Sequence, residues 1–138
     1  MMKVLTGVLL SAAVLAVSHQ AASASEASGK PICGQEFKGV PELLETIRAL
    51  PDASVITEDT FYLAIQDPAS NTVWTFTGQA HPAQPSVICR RPVKGADGKL
   101  TLNMEVRCGA KQAECDALTD AFKELNARMI KSMQKGSQ

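Results

Sequence analysis

The stretch Ser86–Cys108, SVICRRPVKGADGKLTLNMEVRC, decides the fold of this chain. Its second half alternates without exception. Leu100, Leu102, Met104, Val106 and Cys108 fall on one side of an extended backbone, with Thr101, Asn103, Glu105 and Arg107 on the other. A period of two is the mark of a strand with one buried face. Ser86–Val93 and Lys99–Cys108 are therefore expected to form a hairpin around Asp97-Gly98, a dipeptide suited to a type I′ turn because both central residues need positive φ. A two-residue turn pairs Val93 with Leu102, Cys89 with Val106 and Arg90 with Glu105. It also sets Arg91 against Met104 on the apolar side, a mismatch, and makes Cys89 and Cys108 diagonal neighbours.

Upstream lies a second hairpin, Phe61–Gln66 and Thr72–Gly78, around Asp67-Pro68-Ala69-Ser70-Asn71 with Pro68 at the second position of a type I turn. A four-residue loop, Pro68–Asn71, places Leu63 opposite Phe76 and Ile65 opposite Trp74, with Tyr62–Thr77 and Ala64–Thr75 behind them. A five-residue loop mixes Leu63 with Thr75. Since a one-residue slip sends every side chain to the other face, the cleaner segregation selects the four-residue loop. Trp74 then belongs to the core, unless the helices cover the other face and leave an exposed aromatic patch.

Two helices flank the strands. Pro41–Leu50 has Pro at the first helical position, Glu42 and Glu45 at the positive end of the dipole, and Leu43, Leu44, Ile47 and Leu50 on one face; Pro51 stops it. Gln112–Met133 repeats Leu118, Phe122, Leu125, Met129 and Met133 at helical spacing, with Glu114, Asp116 and Asp120 near its start and Arg128, Lys131 and Lys135 near its end. The expected fold is α+β: a four-stranded antiparallel meander with an N-terminal and a long C-terminal helix packed on one face, in the order α-β-β-β-β-α.

The N-terminus looks like a targeting segment. Lys3 precedes an apolar run, Val4–Val17, followed by Ser18-His19-Gln20 and then Ala22-Ser23-Ala24, whose small residues suit signal peptidase. Cleavage before Ser25 is expected. The run falls short of the ~20 apolar residues of a membrane-spanning helix, and the first cysteine, Cys33, lies too far on for a lipoprotein. The expected organisation is a signal peptide at 1–24, an arm at 25–39 tied by a disulfide, one α+β domain at 40–135 and a disordered tail at 136–138. Of 138 residues, 114 remain, with 13 bases and 14 acids. Such a length can bury roughly two-thirds of its surface in a single core. Near-neutral charge argues against a basic nucleic-acid binder and against an acidic disordered tail.

All four cysteines, Cys33, Cys89, Cys108 and Cys115, lie beyond the expected cleavage site. An even number in an exported chain points to two disulfides and to a periplasmic or secreted location. Cys108 and Cys115 bracket a short connection, CGAKQAEC, which leaves Cys33 with Cys89; Cys89–Cys108 is the alternative. No C-x₂₋₄-C knuckle is present, so neither a metal nor another cofactor is expected.

Chemistry is sparse. His81, the single histidine after signal removal, sits in the loop GQAHPAQP, and neither a G-x-S-x-G nor an H-E-x-x-H motif accompanies it. Glu58-Asp59 and Asp67 fit turn or solvated roles, so no catalytic residue is assigned. Charge is polarised: residues 25–67 carry eight acids against three bases, and 68–138 carry ten bases against six acids. Arg90, Arg91, Lys94, Lys99 and Arg107 gather on the second hairpin. The candidate binding residues are thus Arg90, Lys94, Lys99 and Arg107, with His81 as a pH-sensitive contact. The sequence points to a small exported, disulfide-stapled, non-enzymatic protein-binding module of the cell envelope, an accessory, inhibitor or immunity-type factor with an acidic protein partner. A small-ligand carrier or a small envelope hydrolase is the alternative. Basic and aromatic residues are not interleaved, so no nucleic acid is expected as partner.

Overall fold

A computed structural model describes residues 29–136. The expected signal peptide, residues 25–28 of the arm and residues 137–138 of the tail lie outside the described residues. The chain is α+β, running α1 (Val40–Arg48), β1 (Ser54–Glu58), β2 (Tyr62–Asp67), β3 (Thr72–Thr77), β4 (Ser86–Lys94), β5 (Leu100–Cys108) and α2 (Gln112–Gly136). The strands pair in chain order as an antiparallel meander.

The sheet has five strands rather than the expected four. The additional one, β1, has the β-branched run Val55-Ile56-Thr57, yet every residue in it is exposed. It occupies the edge of the sheet, buries neither face, and carries a bulge between Val55 and Thr57. Bulges are a common way of spoiling an edge for pairing with another chain. The turn into β2 is built by Asp59, whose Oδ1 accepts the N–H groups of Phe61 and Tyr62 at 2.7 and 2.8 Å. Asp67 has the same kind of local role between β2 and β3, accepting from Ala69 N–H at 3.1 Å and from the Ser70 hydroxyl. The β2–β3 register is the expected one, with Leu63 opposite Phe76 and Ile65 opposite Trp74.

The β4–β5 register differs from expectation by one residue, and the cause is the turn. Gly98 N–H donates to the Gly95 carbonyl at 2.9 Å, Gly95 N–H to the Lys99 carbonyl at 2.8 Å, and Gly98 alone takes a positive φ, +78°. This is a three-residue loop closing on a left-handed glycine, not a two-residue type I′ turn. Arg90 consequently lies opposite Met104, Arg91 opposite Asn103 and Cys89 opposite Glu105. Arg90 thus replaces Arg91 as the arginine facing Met104.

That single slip makes the sheet two-faced. Trp74 and Phe76 pair with Cys89 and Val87, so these four share a face. The apolar row of β5 pairs with Ile88 and Arg90 and points the other way. The two helices therefore cover opposite faces instead of the same one. On the first face, Leu43 and Ile47 of α1 meet Ile65, Trp74, Phe76, Val87 and Cys89, with Ile32 and Phe37 of the arm added. On the second, Leu118 and Phe122 of α2 meet Ile88, Ala83, Tyr62, Met104 and Val106. Trp74 is a core residue, 1% exposed. Burial of side chains of this size contributes about 1.5–3 kcal/mol each.

Each core has its own bridge. Cys33–Cys89 fastens the arm to the α1 face, and Cys108–Cys115 joins the end of β5 to the first turn of α2. These are the pairs favoured by spacing. No helix among the described residues is long and apolar enough to cross a membrane.

Candidate functional site

The second face of the sheet is imperfectly filled. One row across it runs Thr57, Ala64, Thr75, Ile88, Val106; the next runs Gln66, Val73, Arg90, Met104. Ala64 is the smallest side chain in either row, and Ala121 borders the same space from α2. Between them lies an open groove of about 270 Å³, with Phe122 and Leu125 as its apolar wall and Tyr62, Thr57 and Arg128 around it.

Arg90 enters this groove. Its guanidinium carbon is 5.2 Å from the centre of the Phe122 ring, and Nη1 reaches Asn126 Oδ1 and Met129 Sδ, each at 3.4 Å. No carboxylate among the described residues forms an ion pair with it. Burial lowers its pKa, though a guanidinium remains charged at any physiological pH. Arg90 Nε is buried without a hydrogen-bond partner, as is the hydroxyl of Thr75, a residue only 4% exposed.

On the far side of Tyr62 a second hollow, about 410 Å³, separates the His81-Pro82 loop from the start of α2. Here the Tyr62 hydroxyl lies 2.8 Å from His81 Nε2, and Ala83 N–H donates to His81 Nδ1 at 3.0 Å. A backbone donor on Nδ1 makes that nitrogen the acceptor, so the neutral ring carries its proton on Nε2 and donates it to Tyr62. Burial lowers the His81 pKa; burial, followed by the negative charge of Asp59, raises that of Tyr62. The pair therefore rests as neutral imidazole and neutral phenol, with both ring nitrogens of His81 occupied. That arrangement orders the loop and leaves no lone pair free for a general base.

The five candidate binding residues are distributed over the molecule. Lys94 and Lys99 flank the β4–β5 turn and are exposed. Arg90 faces α2 in the groove, whereas Arg107 faces the other way: its Nη2 donates to the Pro31 carbonyl at 2.8 Å, and its guanidinium lies 5.9 Å from the Phe37 ring centre. Arg107 thus clamps the arm. His81 borders the second hollow. α2 runs back along β5 and brings its last turns to the hairpin tip. Gly98, Lys99 and Leu100 border a shared hollow with Met133 and Gln134, and Lys131 and Lys135 are exposed on the same stretch of α2. The sequence reading missed Thr75, Ala64 and Ala121, whose importance depends on which face α2 covers. The Glu105 carboxylate approaches the sulfurs of Cys33 and Cys89, but those sulfurs are bonded to each other and offer no thiolate to a metal.

No protein-family model matches this chain, and no curated protein or solved structure shows significant similarity to it.

Proposed function

We propose that this chain is an exported, non-enzymatic binding module of the cell envelope that docks an acidic protein partner, in an accessory, inhibitory or immunity-type role. Two disulfides suit an oxidising compartment. The observation that carries the reading is the exposed β4–β5 tip with Lys94 and Lys99, which shares a hollow with Met133 and Gln134 in the last turns of α2, a stretch whose sequence also carries Lys131 and Lys135. Only Asp97 supplies negative charge at the tip, and its Oδ1 accepts the Lys99 backbone N–H at 3.0 Å. Exposed charges of one sign speed encounter with a partner of the other sign and lose that effect in salt.

The test is photo-crosslinking from a reactive residue placed at Ala96 in the turn, with Thr46 on the exposed side of α1 as control. One envelope protein should be trapped from position 96 and not from 46. The product should disappear in a folded Lys94→Glu/Lys99→Glu/Lys131→Glu variant, and the purified pair should associate about tenfold more slowly at low salt in that variant. Trapping that ignores both charge reversal and salt would contradict the reading.

A further inference from the structure

We propose that Met129 is an oxidant-responsive modification site, and that Arg90 holds its sulfoxide so that oxidation fastens the second half of α2 to the sheet. The site uses none of the residues of the exposed β4–β5 tip, so its test is independent of the docking reading.

The three methionines among the described residues have different surroundings. Met104 packs half-buried against the core beneath α2, and its Sδ accepts from Asn126 Nδ2 at 3.3 Å. Met133 is half-buried in the last turns of α2. Met129 is 38% exposed, and its Sδ accepts from Arg90 Nη1 at 3.4 Å. Arg90 crosses from β4 to reach it, with its guanidinium over the Phe122 ring and Nη1 also 3.4 Å from Asn126 Oδ1. No carboxylate among the described residues forms an ion pair with that guanidinium. A solvent-accessible thioether side chain thus rests on a cation whose acceptors are all neutral.

Oxidation changes the chemistry of this contact. A thioether sulfur is a weak acceptor. When it meets hydrogen peroxide, a sulfur lone pair attacks one oxygen, the O–O bond breaks and an S–O bond forms. The proton of the transferred oxygen passes to the departing hydroxide, which leaves as water. The sulfur is oxidised and the peroxide reduced by the same electron pair. The sulfoxide oxygen carries partial negative charge, and a hydrogen bond to it from a guanidinium is charge-assisted, roughly twice as strong as a neutral one. Methionine is unbranched and flexible, so its new oxygen can take the place beside Nη1 that the sulfur holds. A sulfoxide formed in an apolar core disrupts packing. Here a cation without a counter-charge receives it. Methionine sulfoxide reductases, supplied with a dithiol, return the thioether, so the change is reversible.

The experiment treats the disulfide-bonded protein with rising doses of hydrogen peroxide, maps the oxidised residues by peptide mass spectrometry and isolates the singly oxidised product. Met129 should be modified before Met104 and Met133. Urea unfolding should show that oxidation leaves the parent at least as stable but destabilises Arg90→Leu. The two effects should differ by about tenfold in the unfolding equilibrium constant, the size of a hydrogen bond to a charged group. A second measurement needs no variant. In ¹⁵N spectra of the arginine side chains, the Arg90 guanidinium signals of the parent should shift on oxidation, while those of Arg128, largely exposed on the same helix, should not. Earlier oxidation of Met104 or Met133 would overturn the proposal. So would an equal loss of stability in the parent and in Arg90→Leu, or Arg90 signals that ignore the oxidation of Met129.

Discussion

At Gly98 the backbone takes φ +78°, a region that a Cβ makes costly by roughly 1–2 kcal/mol. Nothing crowds the position where that Cβ would stand, so the conformational cost is the whole effect. Gly98→Ala should lower stability by about 1 kcal/mol in urea unfolding, and Gly98→Asn by less, because asparagine tolerates the left-handed region. His81 gives a second test at this scale. Its native pKa is lowered by burial, so the unfolded chain takes up the proton first as pH falls. The associated stability is present above the ordinary value of 6.5 and is lost as pH falls through the lowered native pKa. Urea midpoints between pH 7.5 and 5.5 should therefore decline more steeply in the parent than in a His81→Gln variant. Equal slopes would show that the burial of the His81 ring does not persist in solution.

Among the elements, the two bridges have unequal tasks. Cys33–Cys89 spans 56 residues of chain and Cys108–Cys115 spans 7. If each acts mainly by restricting the unfolded chain, the first contributes about 4 kcal/mol and the second about 2.5 kcal/mol. Chemical denaturation of Cys33→Ala/Cys89→Ala and Cys108→Ala/Cys115→Ala variants should show that order, and peptide mapping without reduction should recover both pairs. The strands themselves were legible to different degrees. In β2 and β3 the gathering of large apolar residues on one side reports the α1 face of the core, in β5 the alternation reports a half-buried face, and the β2–β3 register follows from the former. In β1 no face is buried; Val55 and Ile56 are 51% and 52% exposed. A pattern that depends on burial cannot reveal such a strand, and its β-branched run is the one available signal. The β4–β5 register was not legible because Gly-Ala-Asp-Gly-Lys supports either a two-residue or a three-residue loop. The choice lies in which residues take positive φ.

Across the whole molecule, that local choice determines which residues can form a site. With a two-residue turn, the apolar rows of β3 and β5 would share a face and one layer of helices would cover both. With Gly98 alone left-handed, the rows separate, α1 and α2 cover opposite faces, and Arg90 is carried into the groove while Arg107 is carried to the arm. Charge polarity along the chain was visible in the sequence, but the approach of the last turns of α2 to the hairpin tip depends on α2 running back along β5. The most direct measurement is the set of long-range nuclear Overhauser contacts made by the Trp74 indole and the Phe122 ring. Trp74 should contact the methyl groups of Leu43 and Ile47 on α1, and Phe122 should contact Tyr62, whose ring centre lies 6.0 Å away. Contacts from Trp74 to Leu118 or Phe122 would place both helices on one face and contradict the two-faced sheet.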